Sequence, residues 1–156
     1  MKIGVYYYSK TGNTKKIAEA IAEEAGVKAV DISSDPKIEE TYDLIFLGTG
    51  KYYGSLDKAF QRFLSSLDPG KVKAVTPFST NFKNDDANKE IKYAAEQKQI
   101  PVTDESFRCY GRWLGFKKDH PNEQDIADAK AFAKKVLALY FPVEKEEKES
   151  APEKSE

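Results

Sequence analysis

Three hydroxyls and a carboxamide fall within six positions at Ser9-Lys10-Thr11-Gly12-Asn13-Thr14. The stretch follows an apolar, β-prone run and precedes an amphipathic helical pattern. It therefore spans a strand end and a helix start. Free N–H groups and the positive dipole end of a helix suit an anion there, above all a phosphate dianion. Gly12 lets the backbone bend close to such a ligand. The plainer reading is a helix cap supplied by Asn13 or Thr14, but a cap needs one such residue, not five. Two common phosphate motifs are absent. There is no Gly-x-x-x-x-Gly-Lys-Ser/Thr, and no Gly-x-Gly-x-x-Gly after the first strand. This argues against a P-loop ATPase and a dinucleotide site. The positions after the first and third strands carry no acids, so a phosphorylated receiver domain does not fit either.

Two further stretches could hold a planar ring. Gly50-Lys51-Tyr52-Tyr53-Gly54 offers adjacent aromatic faces between glycines. Ser79-Thr80-Asn81-Phe82 offers small polar groups, backbone amides and one more aromatic. Singly, each aromatic could be ordinary packing. Together, at three loops expected on one sheet edge, they favour a ligand. Cys109 reads as a small buried residue at a strand end. His120 reads as a loop residue before a helix cap. Trp113 is either a loop anchor or a cover for the ring.

The elements that must position these residues are legible. Residues 2–8 form a first strand. Ile17, Ile21 and Ala25 recur every four residues, with Ala18 and Ala22 beside them, and Gly26 ends that helix. Residues 27–32 read as a short strand, and 37–41 allow at most one helical turn. Leu44-Ile45-Phe46-Leu47 has the look of a strand buried on both faces. Leu56, Phe60, Phe63, Leu64 and Leu67 mark a second helix face. Residues 73–78 form a fourth strand, in which Pro77 is tolerable only near the end. A polar loop over 79–86 leads to a helix over 87–97. Residues 106–110 form a fifth strand, and Asn122 caps a last helix with Ile126, Ala129, Phe132, Ala133, Val136, Leu137 and Tyr140 on its face. Alternation of this kind predicts an α/β fold, a doubly wound parallel sheet whose ligands sit at the carboxyl ends of the strands.

With these elements in place, Tyr8-Ser9-Lys10-Thr11-Gly12-Asn13-Thr14 resembles the phosphate-binding signature of the flavodoxin family. Residues 46–54 resemble that family's loop over one face of the flavin, and 77–81 sit where its second flavin loop should be. The resemblance covers about residues 1–140. It implies a five-stranded sheet of order 2-1-3-4-5 that binds FMN non-covalently. Ser9, Lys10, Thr11, Gly12, Asn13 and Thr14 would surround the phosphate. Gly50, Lys51, Tyr52, Tyr53 and Gly54 would lie over the ring, with Tyr53-Gly54 similar to the aromatic-glycine pair beside flavin N5 and Tyr52 the competing assignment. Ser79, Thr80, Asn81 and Phe82 would lie along the pyrimidine side. The chain departs from the family in its charge, in its second loop and in the near absence of a helix between strands two and three.

Composition bounds the function. The 156 residues carry a formal net charge of −1, so nothing draws the chain generally to nucleic acid or anionic membrane. One cysteine and one histidine disfavour a disulfide scaffold, a zinc cluster or a His-based triad. No run is long enough to span a membrane. Residues 1–142 read as one domain. Residues 143–156 read as a charged tail with too little apolar surface to order itself. The expectation is a cytoplasmic, monomeric FMN electron carrier serving redox protein partners. The alternative is an FMN-dependent oxidoreductase reducing a quinone or similar small acceptor. A third reading, a non-redox phosphate or nucleotide binder, requires the two tyrosines to be incidental.

Overall fold

The computed structural model describes residues 1–51, 54–81, 86–112 and 119–142. Tyr52, Tyr53, Phe82, Trp113 and the tail from residue 143 lie outside the described residues. The elements are β1 (Ile3–Tyr8), α1 (Asn13–Ala25), β2 (Ala29–Asp31), a 3-10 turn (Ile32–Ser34), β3 (Leu44–Lys51), α2 (Lys58–Ser66), β4 (Val75–Asn81), α3 (Ala87–Gln97), β5 (Phe107–Tyr110) and α4 (Glu123–Tyr140). The strands form one parallel sheet in the order β2-β1-β3-β4-β5. This is the doubly wound α/β architecture expected from the alternation of elements.

Side-chain alternation divides the core into two layers. Val5, Tyr7, Leu44, Phe46 and Phe78 face α1 and α4. Tyr6, Ile45, Leu47 and Val75 face α2 and α3. Small residues, Ala18 and Ala22 on α1 with Ala129 and Ala133 on α4, let helix and sheet surfaces close up in the first layer. Phe60, Phe63, Leu64 and Ile91 fill the second. The α4 start is fixed by a capping box: Asn122 Oδ1 accepts from the Asp125 amide, and an Asp125 carboxylate oxygen accepts from the Asn122 amide.

Several boundaries differ from the sequence expectation. β3 does not stop at Leu47 but runs through Gly48-Thr49-Gly50-Lys51. β4 starts at Val75 and runs through Ser79-Thr80-Asn81, which were expected to be loop. The polar ends stay in the sheet because they pair with each other, Thr49 with Ser79, Gly50 with Thr80 and Lys51 with Asn81. β2 is only three residues long. No helix connects it to β3. A 3-10 turn and an irregular segment run there instead, leaving a groove of about 630 Å3 against α2 lined by Ile32, Pro36, Ile38, Arg62, Phe63 and Leu67 among others.

Pro77 stands inside β4, not at its end. The sheet accommodates it through an interruption on the β5 side. Val75 bonds residues 101 and 103 on that side, and the β4–β5 ladder resumes only at Phe78–Phe107. Backbone groups of alternate residues point the same way, so the N–H that Pro77 lacks would have faced this gap.

Gly48 is required by packing rather than by its dihedrals. A Cβ placed there would stand 2.2–2.4 Å from the ring of Phe78, which is fully buried on the neighbouring strand. Gly48→Ala should therefore destabilise the fold by about 1–3 kcal/mol, the usual cost of overpacking. Denaturant unfolding of the two proteins checks this. The paired variant Gly48→Ala/Phe78→Leu should recover part of the loss.

Candidate functional site

The carboxyl ends of β1, β3 and β4 lie side by side, and α1 starts next to them. Gly12 takes the N-cap position of α1 with φ 91° and ψ −8°, and no side chain caps the helix from that position. Ser9 serves instead. Its Oγ accepts from the Gly12 amide and the Lys15 amide, both at 3.1 Å, which wraps the loop over the first turn. Lys10 and Thr11 remain exposed at its tip. The first turn carries no acidic residue, so nothing there opposes an anion.

Asn13 and Thr14 are not caps. Both are buried in the first turn. The Asn13 Nδ2 donates to Thr11 Oγ1 at 2.9 Å and to the Arg112 carbonyl at 2.7 Å. It thus joins the loop to the chain after β5. Thr14 Oγ1 and Thr80 Oγ1 lie 2.8 Å apart in a buried hydroxyl pair linking α1 to β4. Of the six loop residues, then, Asn13 and Thr14 turn their side chains into the fold. Ser9 holds the backbone, and Lys10, Thr11 and Gly12 form the accessible rim.

The residues expected along the ring divide by face. Thr80 looks toward α1. Thr49, Lys51, Ser79 and Asn81 lie on the other face, under α3. Thr49, Ser79, Thr80 and Asn81 are buried. The Ser79 Oγ has no hydrogen-bond partner among the described residues, and neither does Asn88 Oδ1 on α3. Lys51 pairs through Nζ with Glu90 of α3. Gly54 is exposed and takes a positive φ of 75°.

Several groups were missed from sequence. Glu90, Arg108 and the Arg112 carbonyl all reach this edge. Arg108 Nη1 lies 3.6 Å from Asp86, the N-cap of α3. No local pattern marks these residues, because their partners, Lys51, Asp86 and Asn13, lie on elements distant in sequence. A register argument for β3, β4 and β5 was the only route to them.

Two titratable groups near this edge, Tyr8 and Cys109, are held neutral. Burial, followed by a hydrogen bond with Asp57, raises the Tyr8 phenol above its ordinary value. Burial, reinforced by Asp125 and Asp128, pushes the Cys109 thiol up to about 12. It is thus a protonated, small apolar group at physiological pH and not a nucleophile. His120 Nδ1 lies 2.7 Å from Asp125 Oδ2, the same oxygen that closes the α4 capping box. Among the described residues no group of His, Cys, Asp and Glu could hold a metal ion. No helix among them is long and apolar enough to cross a membrane.

Thr80→Val should strand the Thr14 hydroxyl and cost about 1–3 kcal/mol. The double variant Thr14→Val/Thr80→Val should recover at least half of that. Equilibrium unfolding of the three proteins measures both quantities.

The flavodoxin domain model matches residues 4–112, which includes the α1 loop and all five strands. An uncharacterised protein of Methanocaldococcus jannaschii is 36% identical over 136 residues, covering 80% of this chain and 90% of that one. The flavodoxin-like domain-containing protein BilS of Clostridioides difficile is 30% identical over 172 aligned positions, covering 88% of this chain and 97% of its own. Among solved structures, a flavodoxin from the domain Archaea superposes with a TM-score of 0.73 at 21% identity, over 90% of this chain and 99% of the other. With the sheet order, the loop after β1 and these matches in agreement, the chain belongs to the flavodoxin family.

Proposed function

We propose that this protein is an FMN-binding electron carrier. The observation that carries the reading is the loop at the start of α1. Its backbone bends at Gly12, Ser9 Oγ shapes it by accepting from the Gly12 and Lys15 amides, its rim offers the Thr11 hydroxyl and the Lys10 ammonium, and its helix turn holds no acid. That donor set suits a phosphate dianion. The same edge offers the polar ends of β3 and β4, so a ring attached to that phosphate has hydrogen-bonding groups within the sheet's own width.

FMN, when bound, would supply the reversible redox chemistry. The chain's own residues do the rest. Ser9 orders the loop amides, and Thr11 and Lys10 meet the phosphate. Asn13 fixes the loop to the Arg112 carbonyl. Tyr52 and Tyr53 would cover one face of the ring, and 79–82 would read its pyrimidine edge. In one cycle a reduced protein partner gives up an electron and is oxidised. An oxidised partner takes that electron and is reduced, and the carrier returns to its starting state.

The test is ligand discrimination. Purified protein should bind FMN with quenching of its fluorescence and should bind riboflavin much more weakly. Thr11→Ala should cost FMN about 1.5–3 kcal/mol, as expected for a hydrogen bond to a charged group, and leave riboflavin nearly unchanged. Equal losses for both ligands would remove the phosphate from the loop. Rapid turnover of a quinone with a nicotinamide cofactor would favour the oxidoreductase.

A further inference from the structure

The first turn of α3 straddles β4. On one side Glu90 pairs with Lys51, the last residue of β3. On the other, Asp86 faces Arg108 of β5 at 3.6 Å, and Asn88 Nδ2 donates to the Phe107 carbonyl at 2.9 Å. These ties bracket the row Thr49–Ser79–Arg108 across the sheet. Lys51 directly precedes the pair of tyrosines, and Asp86 directly follows segment 82–85. Lys51 is therefore tied to α3 by a charge pair, and the start of α3 is tied in turn to β5 through Asp86 and Arg108.

The Lys51–Glu90 pair is half-buried. The Lys51 side chain is 19% exposed and that of Glu90 40%. Partly buried charges are screened less by salt than exposed ones, so the state of this pair bears on any charge placed nearby. An unpaired ammonium at the end of β3 would favour an anion over a neutral group at the same edge. Glu90 cancels that effect. Its own cost is small, because it lies in the first turn of α3, where the helix dipole favours a carboxylate.

We propose that Glu90 is a positioning residue that sets the reduction potential of the bound flavin, acting through Lys51. It holds the strand-end cation in an internal pair, so that the cation does not stabilise the negative charge the flavin gains on full reduction. The inference rests on the FMN reading above and adds to it a named control over electron affinity. It also changes what the sequence suggests. Lys51 looks like a free cation beside the ring, whereas in the fold its charge is already matched.

The experiment is a dithionite titration of the full chain loaded with FMN, with reference dyes reporting the potential. Dithionite supplies the electrons and is oxidised to sulfite. Four proteins are compared: wild type, Glu90→Gln, Lys51→Met and the exchange Lys51→Glu/Glu90→Lys. Glu90→Gln should shift the last one-electron equilibrium toward the reduced form at least threefold, about 30 mV at ~59 mV per decade. Lys51→Met should shift it the other way by a similar factor. The exchange should lie within twofold of wild type, and all shifts should shrink at high salt. A purely structural role would move both single variants in the same direction, or would lower FMN affinity without moving the potential. Either result overturns the proposal, as does no shift in any variant. If the wild type binds no FMN, the FMN reading falls and this inference with it. If it binds FMN and the potentials do not separate, only this inference falls.

Discussion

A parallel strand with helices on both faces has almost nowhere to put a polar side chain. β3 shows how the fold meets that constraint. It runs through Leu44, Ile45, Phe46 and Leu47, then changes character within one residue to Gly48, Thr49, Gly50 and Lys51. β4 turns at the same level, from Phe78 to Ser79, Thr80 and Asn81. The change occurs where the strands pass beyond the cover of their aliphatic neighbours. A buried polar group without a partner costs about 1–3 kcal/mol, and most of those here find one across the sheet or on a helix start, with the Ser79 Oγ the exception among the described residues. Thr80 finds Thr14, and Lys51 finds Glu90. The candidate site is the rim of that arrangement.

The order and type of the elements were legible in the sequence because they rest on local signals. Ile17 and Ile21 mark α1 at helical spacing, Gly26 ends it in the left-handed conformation, and Asn122 caps α4. The ends of β3 and β4 were not legible. Gly48 to Lys51 and Ser79 to Asn81 have the composition of loops, and only their mutual pairing holds them extended. Pro77 misled for a related reason. Its tolerance depends on a gap toward β5 that no local pattern encodes.

The site was partly legible. The run from Ser9 to Thr14 stood out in the sequence by its residue types, and the structure places it at the carboxyl edge of the sheet, at the start of α1. The individual duties of those residues were not legible. Asn13 and Thr14 looked like caps or ligand groups, yet both are buried and serve α1's attachment to distant chain. Their partners, the Arg112 carbonyl and Thr80, come from the chain after β5 and from β4. The charge balance at the edge was similarly hidden. Lys51 is visible in the sequence, but Glu90 is 39 positions away and meets it only because α3 crosses over β4.

The Asn13–Arg112 bond joins residues 99 positions apart, and the Thr14–Thr80 pair joins residues 66 apart. Such contacts close large loops, and their entropy must be met before they form. A chain emerging from the ribosome can make β1 and α1 early, but the loop between them cannot be locked until residue 112 has appeared. The loop from Ser9 to Thr14 is therefore among the last parts of the domain to take its final shape, because its anchors lie on chain made much later.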